Sequence, residues 1–123
     1  MPIIKTILVM ITFLVLTNAT YAQSRECEDA MYQAESYADD LESRAKKLMR
    51  CASNEGAHDL EKRAKKLQRC AWYDDYTDDC YFEFRKVKRE YSKAEVCSKE
   101  YKKTKSVFSD YESAVSEVIS YCD

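Results

Sequence analysis

Six cysteines are the residues whose chemistry is easiest to assign in this chain. They lie at positions 27, 51, 70, 80, 97 and 122, and His58 is the only histidine. Cysteine thiolates can bind zinc or copper, but such sites need closely spaced Cys or His ligands. The shortest interval here is ten residues, from Cys70 to Cys80. An even number of widely spaced cysteines instead predicts three disulfides, and no metal or other cofactor.

The other residue patterns that commonly support catalysis are missing from the sequence. A Ser-His-Asp or Cys-His site would have to use His58, and a glycine-rich phosphate loop cannot be built around a single glycine, Gly56. The neighbouring carboxylates occur in charge-rich, solvated stretches. We therefore expect a protein that is not an enzyme and has no specific small-molecule substrate.

The composition favours helices over every fold that needs many tight turns. Only one of the 123 residues is glycine and one is proline, whereas 34% are charged and 46% are hydrophobic. Sandwiches, barrels and nucleotide-binding α/β folds use glycine and proline at their turns. A chain of this length forms one modest domain, so the sequence predicts a single all-α domain.

Residues 1–22 have the features of a secretory signal peptide. Lys5 precedes an apolar run over 7–16, and the segment 20–22 (TYA) is a small-residue cleavage site. The apolar run is about half of the ~20 residues that a membrane-spanning helix requires. We expect cleavage to leave 23–123 as one disulfide-stabilised helical domain. All six cysteines lie in that part, so we expect an exported protein, periplasmic or extracellular, in an oxidising compartment.

Two apolar stripes divide the mature chain into two helical arms. Small and apolar side chains recur at steps of four and three from Cys27 to Ala52, and the pattern resumes from Leu60 to Ala71. It recurs from Cys80 to Cys122, with one slip between Ala94 and Cys97. This is the heptad spacing of a coiled coil. The sequence predicts arm one over 24–73, interrupted near 53–58 at its only glycine, a turn over the Asp-rich segment 74–79, and arm two over 80–122 as one long helix.

The cysteine positions indicate how the two arms pair. Facing residues in an antiparallel helix pair have a constant index sum, because one helix counts up while the other counts down. The residue numbers add to 149, 148 and 150 for Cys27 with Cys122, Cys51 with Cys97, and Cys70 with Cys80. The sequence therefore predicts a long antiparallel helical hairpin, a two-helix coiled coil stapled by these three nested disulfides.

The alternative is a compact bundle of three or four helices. A hairpin would lay like-charged groups side by side, whereas a bundle can set acidic groups beside basic ones. Ser92 and Glu95 have the spacing of a capping box, so a helix could also begin inside arm two. A linkage between Cys27 and Cys51 would exclude the hairpin.

Charged residues are grouped along the chain, and the groups provide candidate binding surfaces. Segments 26–42 and 74–83 are acidic, while 44–69 and 85–105 are mainly basic. Folding about residue 75 would bring the basic groups together in the middle of the hairpin and the aromatic residues to its acidic tip. The predicted partner-binding residues of the middle and then of the tip are Arg44, Lys46, Lys47, Lys65, Lys66, Lys86 and Lys88, followed by Trp72, Tyr73, Tyr76 and Tyr81.

These features favour a small exported protein that acts by binding. We expect an inhibitor, an immunity factor or an adaptor, whose partner is another protein or a second copy of the chain as a homodimer. An anionic surface or polymer would also be attracted to the basic middle. Two other functions stay open: a structural or assembly subunit that self-associates through its helices and charge groups, and a secreted effector or toxin that acts on a membrane or channel.

Overall fold

The computed structural model describes residues 14–73 and 80–122, with side chains described from residue 25. The described chain is all-helical, as predicted. It contains α1 (Leu14–Asn54), α2 (His58–Trp72), α3 (Tyr81–Ala94) and α4 (Ser98–Tyr121). The first helix starts ten residues before the predicted start of arm one, and it runs through the predicted cleavage site. Residues 1–13 of the predicted signal peptide and the predicted turn 74–79 lie outside the described residues.

Gly56 ends α1 at the interruption that the sequence predicts near 53–58. Its φ angle is 75°, in the left-handed region that residues with a Cβ atom seldom adopt. The N–H of Gly56 donates to the carbonyl of Ser53 (3.1 Å), and the N–H of Ala57 donates to the carbonyl of Ala52 (2.9 Å). These two bonds form a Schellman motif, which satisfies carbonyls that the end of the helix would leave unpaired.

The second helix folds back on the first, so 24–73 is not one extended arm. Helices α1 and α2 are packed against each other, and the Gln68 side-chain amide donates to a Glu42 carboxylate oxygen over 3.5 Å. The physical reason is the turn at 55–57, which reverses the chain within three residues. The duplicated segments 41–52 and 60–71 therefore lie on two neighbouring helices.

The prediction of one long helix over 80–122 was wrong, because the chain turns between α3 and α4. Glu95 and Cys97 both have left-handed backbone conformations, with φ angles of 53° and 65°. The N–H of Glu95 still donates to the carbonyl of Tyr91 (2.8 Å) and closes the last turn of α3. The apolar stripe continues past this break with a single slip in its spacing, between Ala94 and Cys97, and one slip was too small a signal to divide the predicted helix.

The three disulfides join the cysteine pairs that the index sums predict: Cys27 with Cys122, Cys51 with Cys97, and Cys70 with Cys80. The first two pairs connect α1 to the flanks of α4, and the hydroxyl of Thr104 on α4 donates to the carbonyl of Arg44 on α1 (3.3 Å). These contacts show that α1 and α4 are antiparallel. Three disulfides in so small a chain indicate an oxidising, exported environment.

The packing pairs indicate a bundle instead of a single hairpin. Helix α1 packs on α2 and α4, α2 packs on α3, and α3 approaches α4 more sparsely. The alternative of a three- or four-helix bundle therefore describes this packing better than two long arms do. None of the described helices is long and apolar enough to cross a membrane.

The core has a large part inside the bundle and a small part beyond it. The large cluster contains side chains from all four helices, among them the fully buried Leu48, Leu67, Val87 and Tyr111. The small cluster lies between the first part of α1 and the last part of α4, and it consists of Ala30, Ala34, Ala114 and Val118. Helices α1 and α4 thus extend past α2 and α3 as a thinly packed pair.

Candidate functional site

An open groove runs between α3 and α4. The two helices are held apart by aromatic rings, since Phe84 stacks on Phe108 with ring centroids 4.4 Å apart and Tyr91 stacks on Tyr101 at 4.0 Å. Rings of this size keep the backbones of antiparallel helices further apart than small side chains do. The groove has a volume of about 830 Å³, and its aromatic floor includes the buried Phe84 and Phe108.

The walls of the groove are strongly basic. Among the residues that the structure describes, six cationic side chains line it, and Glu112 is the one acidic residue of the lining. The cations come from both helices, five from α3 and one from α4. They are Arg85, Lys86, Lys88, Arg89, Lys93 and Lys105.

Local contacts orient several of these cations. The Arg85 guanidinium lies 5.6 Å from the centre of the Tyr81 ring, a cation–π geometry. Glu90 is buried beside the groove, and its carboxylate lies 3.5 Å from the Arg89 Nε and 3.9 Å from the Lys93 Nζ. Glu90 therefore offsets part of the positive charge at this end, while no ion pair within 4.0 Å between described residues involves Lys88 or Lys105.

The stacked tyrosines Tyr91 and Tyr101 differ in environment, and the pKa of Tyr101 is raised. Burial raises the pKa of Tyr101 above its ordinary value of 10.0, and the adjacent Tyr91 raises it further. Tyr101 therefore stays a neutral phenol at neutral pH. Its ring stacks on Tyr91 and packs α3 against α4.

Comparisons with protein-family models, with curated proteins and with solved structures found no match to this chain. The site therefore has to be interpreted from its own geometry.

The structure brings three of the predicted binding residues into the groove, namely Tyr81, Lys86 and Lys88. The other predicted residues of the basic middle are elsewhere, because α2 folds back and separates the basic segments. Lys46 and Lys47 are exposed on α1, and Lys65 and Lys66 are exposed on α2. Arg44 is half-buried on α1, where its carbonyl accepts the bond from Thr104.

The predicted aromatic tip is partly described. Trp72 and Tyr73 are 67% and 77% exposed at the end of α2, and Phe82 is 68% exposed at the start of α3. The Tyr81 and Phe82 rings meet edge to face with centroids 5.8 Å apart. Tyr76 lies outside the described residues.

Sequence reasoning missed most of the groove. It did not single out Arg85, Arg89, Lys93 or Lys105 as binding residues, and Phe84 and Phe108 were only members of the apolar stripe between Cys80 and Cys122. The available signal was the capping box at Ser92 and Glu95, which places a helix boundary close to the observed turn. With that boundary, 81–93 and 105–112 become facing helices and their cations share one cleft.

The groove is chemically suited to binding and offers no obvious reactive group. It holds no histidine or cysteine, and among the described residues no group of three or more His, Cys, Asp or Glu side chains could hold a metal ion. Its aromatic floor can accept apolar groups, and its cations can bind carboxylates or other anions along the walls.

Proposed function

We propose that this protein is a non-catalytic, exported binding protein, and that the groove between α3 and α4 binds an acidic amphipathic helix of a partner protein. The observation that carries the proposal is the combination of an aromatic floor with six cations and one carboxylate among the described residues of the lining. An inhibitor, an immunity factor or an adaptor would use such a groove in the same way.

The dimensions of the groove favour a helix as its occupant. Its lining on α3 extends from Tyr81 to Lys93, which corresponds to about 18 Å of helix. A partner helix of about three turns would place apolar residues at i, i+3, i+4 and i+7 on the floor. Acidic residues on both sides of that stripe would then face the cations of the two walls.

The distribution of charge favours a polypeptide over a single-headed lipid. An anionic lipid carries its charge at one end and needs an enclosed apolar channel for its chain. In this groove the cations are spread along α3 from Arg85 to Lys93, and the groove is open to solvent. A partner with carboxylates at intervals matches that pattern.

A designed peptide tests the proposal directly. The probe is a fluorescent helical peptide with a leucine stripe flanked by glutamates, and a scrambled peptide of equal charge serves as the reference. We expect the leucine-stripe peptide to bind in an anisotropy titration and the scrambled peptide to bind at least tenfold more weakly, because it cannot use the aromatic floor.

Matched charge reversals locate the binding. Lys88→Glu with Lys105→Glu should weaken binding more than tenfold, because it places two carboxylates in the groove. Lys99→Glu with Lys103→Glu makes the same charge change at exposed positions of α4 outside the groove and should leave binding within a factor of about two. Equal losses in both variants, or equal binding of both peptides, would overturn the groove as the site. Preferential binding of heparin or of anionic vesicles would replace the protein partner by a polymer or a membrane.

The predicted antiparallel hairpin can apply to α1 and α4 only. We propose that these two helices pack as a coiled coil in the register of the index sum near 149, which the contacts of Cys27, Thr104 and Cys51 support. We also propose that residues 1–22 are removed as a signal peptide on export. N-terminal sequencing of the exported protein should begin at Gln23.

A further inference from the structure

A bare helical surface lies where α1 and α4 continue past α2 and α3. Gln68 of α2 contacts Glu42 of α1, so the last residue of α2, Trp72, is level with about residue 38. Phe84 of α3 stacks on Phe108 of α4, so the start of α3 is level with about residue 111. Residues 25–37 of α1 and 112–121 of α4 lie beyond both helices, over about 18 Å of α1 and about 14 Å of α4.

One face of this extension continues the face on which α2 and α3 rest. Glu42 contacts α2, and Glu35 and Glu28 precede it by one and two heptads on the same side of α1. On α4 the stripe that lines the groove against α3 continues beyond Glu112. We call this uncovered face the shelf, and its residues are Glu28, Met31, Glu35, Ser116 and Ile119.

The shelf is apolar along its centre and acidic around it. Met31 is 38% and Ile119 is 57% exposed, although both lie on a face that α2 and α3 cover further along. The surrounding carboxylates include Glu26, Asp29 and Glu117, all exposed. Between residues 26 and 42 and between 110 and 121 the chain has no basic residue.

The outer face of α2 has the opposite charge. Four exposed cations lie on it, while Asp59 is the one exposed carboxylate of this helix. We call this surface the basic face, and its residues are Lys62, Lys65, Lys66 and Arg69. The fifteen residues of α2 span about 22 Å, close to the length of the shelf.

We propose that two copies of this chain form an antiparallel dimer in which the basic face of each copy covers the shelf of the other. The shelf is a surface of the layer formed by α1 and α4, and the basic face lies one helix layer above it. We call the boundary between the two surfaces, where α2 ends and α3 begins, the step. Two inverted copies can therefore pack with the basic face of each copy on the shelf of the other. A two-fold axis makes both contacts at once, so the assembly closes as a dimer instead of growing into a filament.

The dimer would also cover the exposed aromatic side chains at the step. Trp72 and Tyr73 lie at the end of α2, and Phe82 lies in the first turn of α3. All three are therefore at the step between the basic face and the shelf. In the proposed assembly the two steps meet near the two-fold axis. Large aromatic residues at the centre of an interface are typical of the positions that contribute most binding energy.

Light scattering on the exported chain during size-exclusion chromatography tests the dimer with paired charge reversals. We expect the wild-type protein to be a dimer at low salt and to dissociate as salt is raised, because screening weakens the exposed charge pairs. Glu28→Lys with Glu35→Lys should give a monomer, and so should Lys62→Glu with Lys66→Glu. The combination of all four changes should restore the dimer, since it exchanges the two charges.

Two control variants separate this inference from the proposed function. Lys99→Glu with Lys103→Glu has the same spacing and charge change as the Lys62 and Lys66 pair, and it should remain a dimer. Lys88→Glu with Lys105→Glu disables the groove and should also remain a dimer, so either proposal can fail alone. A wild-type monomer at every concentration reached, an open series of oligomers, or a fourfold variant that stays monomeric while its circular dichroism is unchanged would overturn the dimer.

Discussion

Aromatic residues set the spacing between α3 and α4 and thereby form the groove. The two stacked pairs, Phe84 with Phe108 and Tyr91 with Tyr101, stand between the helices, while small residues such as Ala45, Ala52 and Ala64 allow α1 and α2 to approach closely. Replacing Phe108 by a small residue would therefore remove the groove floor as well as core volume. For this reason the test variants of the groove change its exposed cations.

Tyr101 makes the stability of the bundle sensitive to alkaline pH. Its pKa is raised above 10.0 by burial and by Tyr91, so the unfolded chain releases this proton at a lower pH than the folded chain does. The stabilisation is present below about pH 10 and is lost as the pH rises through the folded-state pKa. We expect the urea midpoint to fall between about pH 8 and about pH 11, and to fall less in Tyr101→Phe.

The exposed Tyr32→Phe is the control for this measurement, because Tyr32 is 72% exposed. Its alkaline loss should equal that of the wild type. An equal pH dependence in the Tyr101→Phe variant would show that Tyr101 does not contribute.

At the level of helices, the sequence reveals that the chain is helical, where the first arm is interrupted, and how the two longest helices pair. The apolar stripes lie on all four helices, and the index sums match the observed disulfides because both depend on the constant register of antiparallel helices. Gly56 marks the end of α1, since a left-handed residue is required there. These features are local or periodic, and one sequence is enough to find them.

The direction of the chain after each break could not be predicted in this way. A Schellman motif at Gly56 ends a helix, but the packing of the next helix depends on which apolar faces meet in three dimensions. The turn at Glu95 and Cys97 is harder still, because neither residue type prefers the left-handed conformation that it adopts. The groove depends on that turn, so most of its cations were missed as well.

The turn between α3 and α4 contains strain that a glycine would relieve. Glu95 is exposed and has a φ angle of 53°, which costs a residue with a Cβ atom roughly 1 kcal/mol or more. We expect Glu95→Gly to raise the free energy of unfolding by about 0.5–1 kcal/mol, measured by urea denaturation.

The control is a glycine placed inside a helix. Lys102 is exposed within α4, and Lys102→Gly should lower the free energy of unfolding by about 1 kcal/mol. The opposite signs of the two effects are the diagnostic result. A Glu95→Gly variant as destabilised as Lys102→Gly would mean that residue 95 is helical in solution.

The whole molecule combines a well-packed bundle with a weakly packed extension. The bundle buries large side chains such as Leu41, Leu60 and Tyr111, whereas the small cluster of the extension consists of three alanines and Val118. Val115 of the extension packs into the core of the bundle. The proposed dimer would compensate for this difference, because it covers the shelf with a second copy. The basic and acidic regions of the chain are then parts of one interface.

The disulfide between Cys27 and Cys122 closes the free end of the extension. It encloses the longest loop of the three, with a sequence separation of 95 residues, and the small apolar cluster beside it contributes little burial to replace it. We expect Cys27→Ala with Cys122→Ala to lower the protection of amides in 25–37 and 112–121 against hydrogen exchange by about 2–4 kcal/mol. Amides of α2 and α3 should keep most of their protection, because their core lies inside the bundle.

Removal of the Cys70–Cys80 disulfide is the matched control, because it also replaces two cysteines. This disulfide joins the end of α2 to the start of α3 and has a sequence separation of only 10 residues. Its effect should be confined to the ends of α2 and α3, with the extension unchanged. A uniform loss of protection across all four helices in the Cys27 and Cys122 variant would contradict the division into bundle and extension. Such a result would mean that the thin pair of helices and the bundle unfold as one cooperative unit.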